Sequence, residues 1–107
     1  MGEMSAARIT IADNAERERY EIRADGRLAG FLRYRLRPEL IELIHTEIND
    51  EFEGRGLGSR LISFALNDAR ERGLAVLPIC PFVNDYMQRH RQYAGLVPER
   101  RRQSFGL

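Results

Sequence analysis

Glu53-Gly54-Arg55-Gly56-Leu57-Gly58 decides how the rest of the chain is read. Before it, Glu39 to Asn49 has strand character, with aliphatic and β-branched residues at Leu40, Ile41, Leu43, Ile44, Thr46 and Ile48. After it, a helical pattern starts near Gly56 and runs to about Arg72, with Leu61, Ile62, Ala65, Leu66 and Ala69 as its apolar stripe. Strand, glycine turn and helix N-terminus together make an anion site, because the first amides of a helix lack intrahelical acceptors and carry the positive end of its dipole. Glycines at 54, 56 and 58 let a phosphate approach the backbone where a Cβ would obstruct it. The spacing is neither the dinucleotide fingerprint nor a phosphate loop ending in Lys, so a plain strand-to-helix connection without a ligand is the competing reading.

Upstream, the pattern is that of short strands. Arg8 to Asp13 alternates weakly, and Asp13-Asn14-Ala15 carries turn chemistry. Arg17 to Ala24 sets Tyr20, Ile22 and Ala24 against Arg19, Glu21 and Arg23, the pattern of a half-buried strand. Asp25-Gly26 is a two-residue hairpin signal, and Arg27 to Arg37 returns with Leu28, Leu32, Tyr34 and Leu36 on one face. Glu39 to Asn49, apolar on both faces, is predicted to be central, completing an antiparallel meander of four strands. Downstream, Gly73 is placed to stop the helix. Ala75 to Cys80 reads as a fifth strand, which Pro78 leaves unpaired along part of one side. Phe82 to about Tyr93 reads as a second helix, Leu96-Val97 as a last short strand, and Glu99 to Leu107 as a solvated tail.

At 107 residues, with 43% hydrophobic and 31% charged content, the chain is one globular domain. No apolar run nears the roughly 18 residues of a membrane span, and no secretory pattern opens the chain. The single cysteine, Cys80, excludes an internal disulfide, and a cytoplasmic location is expected. All 17 basic residues are Arg, so the protein has no lysine of its own to acetylate. A net charge of +1 makes no case for nucleic-acid binding.

Three groups of residues carry candidate chemistry. His45 and Glu47, two apart on one strand, project from the same face just ahead of the glycine turn, where a His and a carboxylate together can take a proton or orient a water. A core histidine with a salt-bridging glutamate is the bland alternative. Tyr86, His90 and Tyr93 fall on one side of the second helix, either as a proton donor to a leaving group or as a packing face with polar tips. Cys80 is either a nucleophile or an inert buried thiol. A metal set of His45, Glu47, Cys80 and His90 has no recognised zinc spacing, and no metal is expected.

The order of these elements resembles the GNAT superfamily of acyl-CoA N-acyltransferases. The superfamily's Arg/Gln-x-x-Gly-x-Gly/Ala loop falls on Glu53 to Gly58, with Glu53 where the family has Arg or Gln. The chain is more similar to a small single-domain branch with His-Thr-Glu, Cys-Pro-Phe and His-Pro-x-Tyr segments, here His45-Thr46-Glu47, Cys80-Pro81-Phe82 and His90-Arg91-Gln92-Tyr93. The resemblance covers Ile9 to Val97 and places the domain at residues 8–98, with 1–7 and 99–107 as flexible termini. It implies a minimal GNAT fold of α+β class: a mainly antiparallel sheet split between strands 4 and 5, and two main helices. It further implies acetyl-CoA as cofactor, its pyrophosphate on Arg55, Gly56, Leu57, Gly58, Ser59 and Arg60, and its pantetheine along free backbone groups of Leu77 and Ile79. The thioester would lie beside His45, Glu47 and Cys80, and its departing thiolate would benefit from a nearby proton donor, for which the face of the second helix offers Tyr86. The implied reaction is direct attack of an amine on the thioester, by a monomer or weak dimer. The four residues Asp13 to Glu16 leave no room for the helices that wall the acceptor site in larger members. The acceptor side is therefore expected to be open, as suits a peptide or protein amine. A non-catalytic acyl-CoA-binding or interaction module is the alternative.

Overall fold

The structure, a computed structural model, describes residues 7–107; of the frayed start read at Met1 to Ala7, residues 1–6 lie outside them. Five strands form one sheet in sequence order: β1 (Ile9–Asn14), β2 (Arg19–Ala24), β3 (Arg27–Arg37), β4 (Leu40–Ile48) and β5 (Ala75–Pro78). The first four pair antiparallel, as the alternating patterns and tight turns require. Asp25 and Gly26 both take positive φ (51° and 83°), the left-handed geometry that a two-residue hairpin needs to match strand twist. The helix α1 (Leu57–Glu71) then carries the chain across the sheet, so β5 returns parallel to β4. The fold is of mixed α+β class.

α1 buries Leu57, Leu61, Ile62, Ala65, Leu66 and Ala69 against the sheet, the stripe its 3.6-residue period specifies. Gly73, at φ 70°, stops it, with the Leu74 N–H returning to the Ala69 carbonyl. Opposite lie Tyr20, Ile22, Leu32, Ile41 and Leu43, all fully buried. One polar cluster fastens this layer. The Tyr20 hydroxyl donates to Asp68 on α1 and the Tyr34 hydroxyl to Asp13 on β1, both at 2.7 Å. Arg72 reaches both carboxylates, at 3.1 and 3.7 Å. Burial and the adjoining carboxylates push both phenol pKa values well above their ordinary value.

Two strands carry an extra residue. The β3–β4 register passes from Arg33↔His45 to Tyr34↔Leu43, leaving Ile44 as a bulge. Every side chain beyond it changes face. Leu43 points into the core; Thr46 and Ile48 do so after the bulge, while His45 and Glu47 turn to the outer face. The strand predicted to be apolar on both faces is therefore polar on its outer side in its second half. Across that outer face Arg19, Arg33 and His45 register in one row, and Glu21, Phe31 and Glu47 in the next. The second bulge, Ala29 on β3, lies beside Gly30, where the β3 and β4 backbones approach closely.

The C-terminal third departs most from the sequence reading. β5 stops at Pro78 rather than Cys80. The second helix, α2 (Pro81–Arg89), begins with proline at its first position and ends four residues short of Tyr93. Residues Arg91–Leu96 wind into 3-10 turns that bring the Tyr93 hydroxyl to Ser63 and Asn67 of α1, a tertiary contact that a continued helix would not make. Leu96-Val97 forms no strand: Val97 is extended but fully buried, and the sheet ends at β5. The segment read as a solvated tail contains a short helix, α3 (Glu99–Arg102), and a 3-10 turn at Gln103–Phe105. Asn84 and Gln88 of α2 both donate to the Phe105 carbonyl at 2.9 Å.

A Cβ at Gly30 would collide with the Glu47 carbonyl oxygen and the Ile48 side chain. Gly30→Ala is expected to lower unfolding free energy by about 1–3 kcal/mol through overpacking, measured by urea titration. Glu21, buried on the outer face, gives a pH-dependent test. Burial raises its carboxyl pKa, but bonds from Arg19 (2.7 Å), Asn14 (3.0 Å) and Arg23 (3.1 Å) outweigh that and leave it below the ordinary glutamate value. A depressed folded-state pKa contributes stability that is complete above the ordinary value and lost as pH falls through the folded one. Glu21→Gln should therefore cost about 1–3 kcal/mol at pH 7, a deficit that disappears in acid denaturation series as the wild-type carboxyl protonates.

Candidate active site

β4 and β5 pair from Leu40↔Ala75 to Leu43↔Pro78. One further bond, from the Cys80 N–H to the Leu43 carbonyl at 2.8 Å, closes the ladder. Beyond it β5 is replaced by α2 and the two chains separate. A cleft of about 1130 Å³ opens between the end of β4, the loop 49–56 and the start of α1. Phe82, in the first turn of α2, forms its far wall.

The cleft is walled on one side by the glycine turn. Gly56 caps α1 with φ 73°, a left-handed conformation natural to glycine. The first intrahelical bond runs from the Arg60 N–H to the Gly56 carbonyl, so the amides of Leu57, Gly58 and Ser59 have no helical acceptor. Among the described residues no side chain caps them, and the first turn holds no acid. A Cβ on Gly56 would point into open space, whereas one on Gly58 would meet the Phe82 ring at 2.9 Å. Gly58 is thus needed for Phe82 to lie against α1, and Gly56 for the turn. These features suit a phosphate. Carboxylates of Asp50, Glu51 and Glu53 line the same cleft and oppose one, although Glu51 is paired with Arg27 at 2.8 Å.

Of the six residues expected at the pyrophosphate, Gly56, Leu57, Gly58 and Ser59 line the cleft. Arg55 stands over the Phe52 ring at 5.3 Å, and Arg60 borders a second, shallower hollow along α1. The expected free backbone groups at Leu77 and Ile79 are a correction. Leu77 is paired within the ladder opposite Glu42, and the Ile79 N–H donates to the Leu77 carbonyl at 3.0 Å. Pro78 itself lies inside the ladder, so the split opens one step later than its lack of an N–H suggests.

His45 and Glu47 do meet, Nε2 to Oε1 at 3.2 Å. Their side chains are 54% and 57% exposed, so His45 is not a core histidine, and Glu47 is paired with it rather than with an Arg. Phe31 lies edge-on to His45, with Arg19 stacked 4.7 Å above its ring. Glu47 lines the cleft as well, and so stands where the cleft meets the outer face of the sheet. Cys80 is buried on the core side, 3.4 Å from the Thr46 hydroxyl. Tyr86 is not brought to this place. It lines the shallower hollow with Ser59, Ser63 and Asn67, its ring stacked on His90 at 4.0 Å. Among the described residues no group of three or more His, Cys, Asp or Glu is gathered as a metal site.

Sequence reasoning missed Thr46, which spans the split to Cys80, and Phe82, which walls the cleft. Both flank residues that were singled out. A β-bulge leaves no mark in an alternation already apolar on both faces, so the facing of Thr46 was hidden. Phe82 was legible as an aromatic beside Cys80-Pro81, but its partner Gly58 lies 24 positions away.

Comparison with known proteins agrees with this geometry. A family model described as GCN5-related N-acetyl-transferase matches residues 19–96, from β2 through the 3-10 turns after α2. No match was found among curated proteins. With the match spanning most of the chain, and a split β4–β5 sheet joined by a glycine-capped helix, the chain belongs to the GCN5-related N-acetyltransferase family.

Proposed function

We propose that the protein is an acetyl-CoA-dependent N-acetyltransferase in which an amine attacks the thioester directly and Glu47 removes the amine's proton. The observation that carries this reading is the position of Glu47, which lines the cleft beside the uncapped amides of α1 and also opens onto the outer sheet face. A cofactor held from one side and an acceptor arriving from the other would converge there. Leu57, Gly58 and Ser59 would bind the pyrophosphate through their N–H groups, with Phe82 against the pantetheine.

An alkylammonium, with pKa near about 10.4, is almost wholly protonated at neutral pH and must lose a proton before attack. The Glu47 carboxylate accepts that proton and His45, bonded to it, orients it. The nitrogen lone pair then forms the C–N bond, the C–S bond breaks, the nitrogen gives up its second proton to solvent, and the sulfur leaves as thiolate and takes a proton from solvent. Cys80 is retained as a packing residue: it is buried and its sulfur faces Thr46.

A second reading, an acyl-CoA-binding module with little turnover, is favoured by one observation. A base more than half exposed to water gains nothing from a dry pocket.

Gly56→Val forces a β-branched residue to φ 73° and should lower the unfolding temperature; compared where circular dichroism shows it folded, it should bind acetyl-CoA at least about tenfold more weakly by calorimetry. Wild-type affinity in a folded variant would move the cradle elsewhere. Glu47→Gln should lower kcat/KM for an amine by about 10²–10⁴ at pH 7, with the deficit shrinking towards pH 10 as the amine deprotonates itself. Mass spectrometry after incubation with acetyl-CoA alone should show no acetyl adduct on Cys80. A trapped adduct, with activity lost in Cys80→Ala, would transfer the chemistry to the thiol.

A further inference from the structure

The outer sheet face around Glu47 has an unbalanced charge. Its carboxylates are already engaged: Glu21 by Arg19 and Arg23, Glu42 by Arg37 at 3.5 Å, and Glu47 by His45. Arg33 and Arg35 are exposed and have no ion pair among the described residues. Arg33 registers directly between Arg19 on β2 and His45 on β4. Like charges directly opposite on neighbouring strands destabilise a sheet. Arg33 therefore stands without a carboxylate partner among the described residues, one register step from the candidate base. Arg35 follows on the same face, about 6.6 Å along the strand.

We propose that the acceptor amine belongs to a peptide with acidic residues beside it, whose carboxylates bind Arg33 and Arg35 while the amine lies at Glu47. This deepens the N-acetyltransferase reading and rests on it. A peptide fits better than a small amine because recognition of small molecules needs concavity, and Arg33 and Arg35 are exposed and line neither the cleft nor the shallower hollow. Two cations spaced along a strand match anions spaced along an extended chain. The guanidinium groups also suit carboxylates, which they bind in a planar, two-bonded geometry.

The test uses three peptides identical except at the second and fourth residues from one free amine, the positions an extended chain sets opposite Arg33 and Arg35; these are acidic, neutral or basic. Thiol release from acetyl-CoA gives kcat/KM, and fluorescence anisotropy with labelled peptide and CoA gives affinity without turnover. The acidic peptide should lead the neutral one by about tenfold per charge-assisted contact, chiefly through KM, and the lead should fall with salt. Arg33→Gln should remove most of that lead, and Arg33→Glu should favour the basic peptide. Thermal unfolding of both variants checks that they are folded. Equal kcat/KM for all three peptides in wild type, or an acidic preference that survives Arg33→Glu, would overturn the proposal. A free acidic amino acid turned over as well as the peptide would overturn its peptide half. Arg33-dependent binding of the acidic peptide with no turnover of any amine would sink the acetyltransferase reading and leave the docking site standing.

Discussion

One extra residue in β4, Ile44, governs how this molecule divides its work between two faces. Without the bulge, strict alternation from Ile41 and Leu43 would carry His45 and Glu47 into the core beneath α1. Burying an imidazole and a carboxylate there without further partners would cost several kcal/mol. With the bulge, the core keeps its aliphatic layer, Thr46 takes the inward position next to Cys80, and the His45–Glu47 pair emerges on the outer face. The bulge also adds twist where β4 must part from β5. The change in register sets the facing of the polar pair, at the point where the β4–β5 ladder ends.

The cleft follows from a balance between pairing and capping. Up to Leu43 the two strands satisfy each other; past Cys80 each chain must find other partners. The α2 side does so by becoming helical behind Pro81. On the β4 side pairing continues only with β3, closed by Asn49, whose backbone amide donates to the Ala29 carbonyl and whose side chain donates to the Leu28 carbonyl, while Thr46 to Asn49 line the cleft. The first amides of α1, those of Leu57, Gly58 and Ser59, are left without partners among the described residues at the same place. A small domain with one core has no spare layer from which to carve a pocket. It obtains one here by ending a ladder early and letting a glycine-capped helix begin beside the gap.

The meander, the hairpin at Asp25-Gly26, the stripe of α1 and its stop at Gly73 were legible because each is a local pattern with its own chemistry. The pairing of His45 with Glu47 was legible too, since residues two apart on a strand share a face whatever that face is. What was hidden depends on contacts distant in sequence. The bulge is set by how β3 and β4 meet. The end of α2 at Arg89 is set by Tyr93 reaching α1, and the docking of residues 103–105 by Asn84 and Gln88. Pro78 misled for a different reason. Proline forbids donation but not membership of an edge strand, so the ladder runs through it and opens only after Cys80.

The short link between β1 and β2 has a consequence for recognition. Residues Ala15–Arg17 form a single 3-10 turn, so nothing from this segment folds over the outer face near Arg19 and Arg33. An acceptor there meets a sheet surface rather than a pocket, and a flat polar surface offers little apolar burial. Affinity must then come from charge and hydrogen bonding, which in water are each worth little alone. A surface of this kind discriminates when several such contacts must be made at once. The alternation of β3 supplies that condition, because Arg33, Arg35 and Arg37 project in line from one strand whose other face is fixed in the core by Leu32 and Tyr34. Burial of Leu32 and Tyr34 fixes the strand from which these charges project, with Arg33 one register step from Glu47 and the others following away from it.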